Sequence, residues 1–283
     1  MFKKLDKKVW VFDSEWVPDP RSGRLLYRLS DTLSDEEVFK KMWMKGGANE
    51  ENPTPFLKTV LCRLVSISAV TRTEKNGEVV LHLLSLPKDP SNEVESSETN
   101  IIHTFLTAIG THKPQLVGYN SNNSDIKILI QRGIANAVQA KDFCKRPDKP
   151  WEGIDYFARG SDNNIDLMDI VGSWGKGAPS LNEMATVCGI PGKIAVDGNQ
   201  VAELWLEGKL NEIVAYNEFD ALTTYLLWLR TAYFGGFFSQ DQYDNEQQAV
   251  INLINEESIK PSRIHLQEYL KEWERLKEVY KVN

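Results

Sequence analysis

The sequence predicts an α/β domain over residues 1–235, followed by a helical C-terminal extension over residues 236–283. Three observations support this prediction. An apolar run near the N-terminus ends abruptly in acidic residues, an Asn-Gly pair joins two further apolar runs, and strand-like segments then alternate with helical ones. Such alternation is typical of a sheet that is covered by helices on both faces.

The first predicted strands precede most of the helices. Residues 9–12 form a short, continuously apolar run, which is typical of a central strand buried on both sides. Residues 64–70 and 79–86 form two more runs, with Asn76-Gly77 between them. Because Asn-Gly favours the tight turn of a hairpin, these two strands should be antiparallel. Further strand-like segments are residues 115–119 and 165–170.

The predicted helices are marked by apolar spacing and by capping boxes. Ser34 and Glu37 form one capping box in an inserted arm, residues 17–57, which should hold one helix. Ser180 and Glu183 form a second capping box. The remaining predicted helices are residues 101–109, 125–133 and 211–232. Residues 141–161 are rich in Pro, Gly, Lys and Asp and are predicted to form a loop.

The C-terminal extension is more polar than the preceding domain and carries one apolar stripe. Its members recur at near-heptad spacing and are Leu266, Tyr269, Leu270, Trp273, Leu276 and Tyr280. We expect this helix to pack on its own domain or on a neighbouring molecule, and a dedicated partner motif is the alternative.

The composition limits the classes of function. Hydrophobic residues at 41% and charged residues at 26% are close to globular averages, which argues against disorder and fibrous repeats. A net charge of −7 argues against a protein that coats nucleic acid broadly. The N-terminal apolar run is too short for a signal segment or a membrane span, and the three cysteines have no zinc or disulfide spacing. We therefore expect a soluble, cytoplasmic protein without membrane association.

Acidic residues stand at three places where chemistry could begin. Asp13 and Glu15 are separated by one residue at the end of the first strand, so both side chains point to the same side of the sheet. A divalent cation bound between the two carboxylates would relieve their repulsion. Tyr216 and Asp220 lie one turn apart on a helix, and Asp125 begins another helix. Each feature has an ordinary alternative: a solvated strand end, a tyrosine packed on the core, or an aspartate beside a helix N-terminus.

Taken together and in this order, the three segments resemble the motifs of the DEDD superfamily of 3′-5′ exonucleases. The first motif is residues 13–15, the second is residues 120–125 and the third is residues 216–220. A histidine-type enzyme would have His where this chain has Ala215, whereas a tyrosine four positions before the last aspartate marks the tyrosine type.

Within that superfamily, the chain resembles the predicted 3′-5′ exonucleases related to the proofreading domain of family B DNA polymerases. The resemblance covers residues 8–232 and includes segments outside the three motifs, namely residues 33–39, 63–68, 165–167 and 180–193. One departure is Ser124, where such enzymes usually have an aromatic residue, and another is Ser121, where glycine is frequent. The departures concern packing beside the substrate rather than a metal ligand.

The resemblance implies a ribonuclease H-like fold, with a mixed five-stranded sheet and helices on both faces. It also implies two Mg²⁺ ions, with Mn²⁺ as a substitute, held by Asp13, Glu15, Asp125 and Asp220. Asp13 would bridge the ions, Glu15 and Asp220 would complete the site that activates water, and Asp125 would act largely through water. Tyr216 would orient the nucleophile.

The implied reaction releases nucleoside 5′-monophosphates from the 3′ end of a single strand. Trp16 and Asn120 are candidates for contacting the terminal nucleotide, although structural roles are an alternative for both. DNA is the favoured substrate. The alternatives are an exoribonuclease and a non-catalytic nucleic-acid-binding module on the same fold. A polymerase or DNA repair partner is compatible with the resemblance.

Overall fold

The computed structural model describes residues 1–149, 151–158, 160–172, 177–194 and 198–281. Within these residues, one mixed five-stranded sheet has the strand order β3-β2-β1-β4-β5. The strands are β1 (Lys8–Pro18), β2 (Cys62–Lys75), β3 (Glu78–Leu86), β4 (Gln115–Gly118) and β5 (Asn164–Asp166). Neighbours β1, β2 and β3 are antiparallel, whereas β4 runs parallel to β1 and β5 runs parallel to β4. The predicted mixed five-stranded sheet is confirmed.

Helices lie before, between and after these strands. They are α1 (Pro20–Tyr27), α2 (Asp35–Lys45), α3 (Glu98–His112), α4 (Asp125–Ala135), α5 (Lys141–Cys144), α6 (Leu167–Gly172), α7 (Leu181–Val187), α8 (Val201–Leu206), α9 (Leu210–Phe234), α10 (Gln240–Glu257) and α11 (Leu266–Lys281). Both predicted capping boxes are present, at the starts of α2 and α7.

The hairpin between β2 and β3 confirms the Asn-Gly prediction. Asn76 has φ 55° and Gly77 has φ 83°. Positive φ at both central residues is the conformation of the turn that matches the twist of two antiparallel strands, and Asn and Gly adopt it at low cost.

Strand β1 is much longer than its apolar run of residues 9–12. It continues to Pro18 because β2 pairs with it throughout, with Asp13 opposite Ser68 and Glu15 opposite Ser66. In contrast, β4 pairs with β1 only at Val9–Val11. The two acidic residues therefore lie beyond the end of β4, where that side of β1 is open to other elements.

Two hydrophobic clusters cover the two faces of the sheet. Val9 and Val11 belong to the cluster that contains the inner side chains of α9, such as Leu222. Trp10 and Phe12 belong to the cluster formed with α3 and α4. Alternate residues of one strand thus face two different helical layers, and the predicted helices on both faces are confirmed.

The inserted arm holds two helices, α1 and α2, rather than the single helix expected from sequence. Helix α1 begins because the Asp19 side chain accepts hydrogen bonds from the backbone N–H groups of Arg21 and Ser22. Pro20 occupies the first turn, where its missing N–H has no helical partner to lose. Pro20 therefore helps to start the helix that the sequence analysis did not predict.

Two further boundaries differ from expectation. The strand expected at residues 165–170 is only β5, and α6 begins at Leu167 directly after it. The predicted loop at residues 141–161 contains the short helix α5. These segments are short, so neither has enough residues for a periodic pattern to separate strand from helix.

The C-terminal extension packs on its own domain, as expected. Leu266, Tyr269 and Trp273 of α11 are buried in the same cluster as Val9 and Val11 of β1. The side chain of Tyr280, also in the predicted stripe, lies outside the described part of the structure. Among the described helices, none combines the length and apolar character that crossing a membrane requires.

Candidate active site

Three carboxylates converge at the open end of β1. Asp13 and Glu15 of β1 and Asp220 of α9 each offer an oxygen atom, and these atoms lie within 4.8 Å of one another. Asp13 and Glu15 are separated by one residue on an extended strand, so their side chains lie on the same face of the sheet. This is the face that Val9 and Val11 share and that α9 covers. The three residues that the sequence analysis assigned to one site thus lie close together, and their role there stays a prediction.

Asp125 approaches from the opposite face of the sheet. It begins α4, is only 3% exposed, and accepts a short hydrogen bond from the Ser14 hydroxyl. Ser14 lies between Asp13 and Glu15 but points the other way. The Ser124 hydroxyl lies 3.0 Å from the other Asp125 oxygen. Asp125 thus borders the site without belonging to the close group of three carboxylates.

Tyr216 lies one turn before Asp220 on α9 and is 6% exposed. Its hydroxyl hydrogen-bonds to the Asp220 carboxylate. Its ring packs in a small cluster with Val17 of β1 and Phe39 of the arm helix α2. The arm therefore supports the ring of Tyr216, and the ring in turn presents the hydroxyl to the carboxylate group.

Burial raises the proton affinity of all four carboxylates, and repulsion from neighbouring carboxylates raises it further for Asp13, Glu15 and Asp220. Burial raises the pKa of Asp13 well above its ordinary value, and the charges of Asp125, Asp220 and Glu15 raise that pKa further. Burial and the same kind of repulsion raise the pKa of Glu15. Burial also raises the pKa values of Asp125 and Asp220, each to about 6.

This donor set fits a divalent metal ion. All the offered ligand atoms are carboxylate oxygens, which hard cations such as Mg²⁺ and Mn²⁺ prefer. Crowded carboxylates with raised pKa values also gain most from a positive charge placed between them. Asp13, Glu15 and Asp220 are the residues that could bind it directly, and Asp125 lies where it could act from further away.

The loop that carries Asn120 is fixed by Asp166 at the end of β5. The backbone N–H groups of Asn120 and Asn122 donate to the two Asp166 oxygens, at 2.7 and 3.0 Å. Asn120 itself has φ 59°, a left-handed conformation that asparagine tolerates. Its side-chain oxygen accepts from the Asn123 amide. The structure gives Asn120 a clear part in the loop, and contact with a nucleotide stays a prediction.

Trp16 follows Glu15 at an irregularity in the sheet. The register between β1 and β2 shifts between Glu15 and Trp16, so that Trp16 pairs with Leu64. Such bulges redirect side chains and are frequent beside active sites. Trp16 is half-buried against the cluster on the α4 face. It lies next to the carboxylates, and its role in substrate binding also stays a prediction.

Sequence reasoning missed four polar residues that contact the carboxylates or their neighbours. Ser14 and Ser124 bond to Asp125, Asn217 bonds to Asp13, and Ser66 bonds to Asn217. For Asn217 there was a usable indication: it is a polar residue directly inside the third motif, on a helix whose other side chains are largely apolar. Ser14 and Ser66 carried no such indication, because their partners are distant in sequence. Ser124 is adjacent to its partner Asp125, but the sequence marked it only as a departure from the family pattern.

Comparison with solved structures finds a similar chain in a DNA polymerase. The family B DNA polymerase from the hyperthermophilic archaeon Pyrobaculum calidifontis has 16% sequence identity and a TM-score of 0.49. The match covers 81% of this chain and 25% of that polymerase chain, so this chain spans about a quarter of the polymerase's length. No curated protein is a significant match.

Comparison with family models also finds a match. Residues 54–273 match a family described as predicted 3′-5′ exonuclease related to the exonuclease domain of PolB. The matched segment contains Asp125, Tyr216 and Asp220, begins after β1, and continues into the C-terminal extension. Since the match spans well over half of the sequence, the chain belongs to the family of predicted 3′-5′ exonucleases related to the exonuclease domain of PolB.

Proposed function

We propose that this protein is a metal-dependent 3′-5′ exonuclease that removes nucleoside 5′-monophosphates from the 3′ ends of single-stranded DNA. The family supports the reaction class and its direction. The observation that carries the proposal is the convergence of the Asp13, Glu15 and Asp220 oxygens within 4.8 Å, with Asp125 on the other side of the same strand.

The four carboxylates have separate tasks in the proposed site. Asp13, Glu15 and Asp220 would hold divalent metal directly, and Asp125, restrained by two serine hydroxyls, would contribute from the α4 side. When bound, a pair of divalent ions supplies an activated water and stabilises the attacking and leaving oxygens at phosphorus. Mg²⁺ is the expected ion and Mn²⁺ a substitute.

Tyr216 would act through its hydroxyl. The hydroxyl donates its one hydrogen to Asp220, and burial raises the pKa of the phenol, so it stays protonated at neutral pH. Its oxygen remains free to accept a hydrogen bond from a nucleophilic water, and a fixed acceptor beside the carboxylates can hold that water in one orientation. The packed ring restricts the directions from which that water can be held.

Substrate binding would use the residues that border the carboxylates. We assign Trp16 to contact with the terminal base or sugar, because it directly follows Glu15 and has an aromatic surface on which a base can stack. Asn120 is the corresponding candidate on the loop before Asp125. A strand end must be unpaired to reach such a recessed group, which favours single strands.

Degradation of matched DNA and RNA strands tests this proposal. A 5′-labelled DNA strand incubated with the protein and Mn²⁺ should shorten stepwise from its 3′ end, with release of 5′-monophosphates. EDTA should stop the reaction. Faster digestion of the RNA strand would move the substrate assignment to RNA, and binding of strand ends without turnover would favour a non-catalytic module. The DNA preference itself is supported by the relation of the family to a DNA polymerase domain.

A further inference from the structure

A chain of two hydrogen bonds leads from the middle of β2 to Asp13. The Ser66 hydroxyl donates to the Asn217 side-chain oxygen at 3.0 Å, and the Asn217 amide nitrogen donates to Asp13 Oδ2 at 2.7 Å. Both Ser66 and Asn217 are 0% exposed. Neither residue is a candidate metal ligand.

The direction of both bonds is fixed by chemistry. A carboxylate that binds metal is ionised and can only accept, so the amide nitrogen of Asn217 must face Asp13. The amide oxygen must then face Ser66, whose hydroxyl can donate to it. Ser66 therefore selects the one orientation of the Asn217 amide that presents a donor to Asp13.

The backbone that carries Asn217 is held independently of Asp13. The next residue, Glu218, is 1% exposed and accepts from Ser85 of β3 at 2.5 Å. It also bonds to Arg263 and His265 of the C-terminal extension, at 2.9 and 2.8 Å. This turn of α9 is thus anchored on β3 and on the extension, so the Asn217 amide approaches Asp13 from a rigid base.

Asp13 needs such a restraint because its neighbours repel it. Its carboxylate lies among Glu15 and Asp220, and without an opposing contact it would turn away from them. A hydrogen bond to one lone pair of Oδ2 leaves the second lone pair of that oxygen, and the whole of Oδ1, free for metal. Asp13 can therefore accept this hydrogen bond and still bind metal through both carboxylate oxygens.

We propose that Asn217 and Ser66 are positioning residues, which fix the rotation of the Asp13 carboxylate and so pre-organise the group that binds divalent metal. This inference rests on the proposed function and deepens it. Partners that orient metal-binding side chains are worth about 10- to 100-fold in metal affinity or activity. The effect should appear in the binding of the metal itself, before any substrate is present.

Titration calorimetry with Mn²⁺ alone tests the inference on three variants of the full chain. Asn217→Leu keeps a similar side-chain size but removes the donor, and it should weaken Mn²⁺ binding by about 10- to 100-fold. Ser66→Ala removes only the hydroxyl that orients the amide, so it should weaken binding in the same direction by a smaller factor. Ser68→Ala is the matched control: Ser68 is also 0% exposed on β2, but its hydroxyl donates to Ser85.

The pattern among the variants decides the outcome. The control should bind Mn²⁺ as the wild type does, and the midpoint of nuclease activity against Mn²⁺ concentration should shift in parallel with the calorimetric values. Wild-type affinity in Ser66→Ala, or equal losses in Ser66→Ala and Ser68→Ala, would overturn the inference even if Asn217→Leu fails to fold. Failure of the wild-type protein to bind Mn²⁺ would instead overturn the proposed function, and this inference with it.

Discussion

At the scale of single residues, the alternation of one strand explains the shape of the site. Asp13 and Glu15 point towards α9, where Asp220 meets them, while Ser14 points towards α4 and bonds to Asp125. Three consecutive residues of β1 therefore connect carboxylates that approach from both faces of the sheet. This is possible because β1 extends beyond β4 at this point.

The raised pKa values predict how stability depends on pH without metal. Asp125 and Asp220 have an ordinary pKa of 3.8, and burial raises each to about 6. The folded state therefore binds these protons more tightly than the unfolded state. The resulting stabilisation is fully present below pH 3.8 and is lost as pH rises through about 6. In EDTA, thermal unfolding should therefore occur at a lower temperature near pH 8 than near pH 5.

The Asp220→Asn variant is the control for that pH dependence. It keeps the shape of the side chain but cannot ionise, so the difference in unfolding temperature between the two pH values should shrink. A difference as large as in the wild type would show that other groups cause it. Saturating Mn²⁺ should also reduce the wild-type difference, because metal offsets the repulsion among the ionised carboxylates.

Removal of the Tyr216 hydroxyl should affect the reaction more than the fold. In Tyr216→Phe the ring remains packed against Val17 and Phe39, so the free energy of unfolding should change by only about 1 kcal/mol, as for one lost hydrogen bond. We expect kcat to fall about 10- to 100-fold, because Asp220, a proposed metal ligand, loses a hydrogen-bond partner. An unchanged kcat in steady-state assays would contradict the role given to this hydroxyl.

At the scale of secondary-structure elements, a buried ion-pair network fixes the arm to the body of the protein. Arg132 of α4 donates to Asp19, which caps α1, at 2.8 Å and to Glu98, which begins α3, at 2.7 Å. All three side chains are less than 9% exposed. Because α4 also begins with Asp125, the arm and one of the candidate ligands share the same supporting helix.

Breaking this network should be costly. Arg132→Met leaves Asp19 and Glu98 buried without their cation, and loss of one partner from a buried pair costs about 3–5 kcal/mol. Urea unfolding monitored by circular dichroism measures the change in free energy. Arg275→Met is the control, since Arg275 forms an exposed pair with Glu272 on α11 and its loss should have little effect. Similar losses of unfolding free energy in both variants would contradict the claim that the buried network of Arg132 fixes the arm.

At the scale of the whole molecule, the C-terminal extension shares the hydrophobic core of the five-stranded sheet. Tyr269 and Trp273 are buried with the residues of β1 and α9, and Glu246 of α10 forms a buried ion pair with Arg72 of β2 at 2.6 Å. Arg263 and His265 hold Glu218, the neighbour of Asn217. The boundary expected at residue 235 therefore marks a change in composition rather than the end of the core.

Deletion of residues 236–283 should therefore prevent stable folding. The shortened chain would expose the apolar cluster under α10 and α11, and Arg72 and Glu218 would lose their ion-pair partners Glu246 and Arg263. We expect no cooperative thermal transition by circular dichroism and rapid digestion by protease. A shortened chain with the unfolding temperature of the full chain would show that the extension is an independent appendage.

The physical origin of each feature decides how much of it could be predicted from sequence. Local chemistry was sufficient to predict the Asn76-Gly77 hairpin and the capping boxes at Ser34 and Ser180. The order of the acidic motifs pointed to three carboxylates that the structure brings together, and their role stays a prediction. The length of β1 could not be predicted, because pairing with β2, rather than apolar composition, extends it past Phe12.

Contacts between residues distant in sequence were also beyond local patterns. The Ser66–Asn217–Asp13 chain joins three elements, and 204 positions separate Asn217 from Asp13. The second arm helix was missed because Pro20 is equally compatible with a loop and with a first helical turn. The position of Asp125 on the opposite face follows from the packing of α4 against Trp10 and Phe12 of β1, which the motifs alone do not specify.

The central claim is that Asp13 helps to hold the metal for hydrolysis at a 3′ end, and one measurement tests it most directly. Release of nucleoside 5′-monophosphates from single-stranded DNA is followed with Mg²⁺ for the wild type and for Asp13→Asn, which keeps the side-chain shape. We predict steady release from the 3′ end by the wild type and none by the folded variant. Equal release by both proteins would contradict the account.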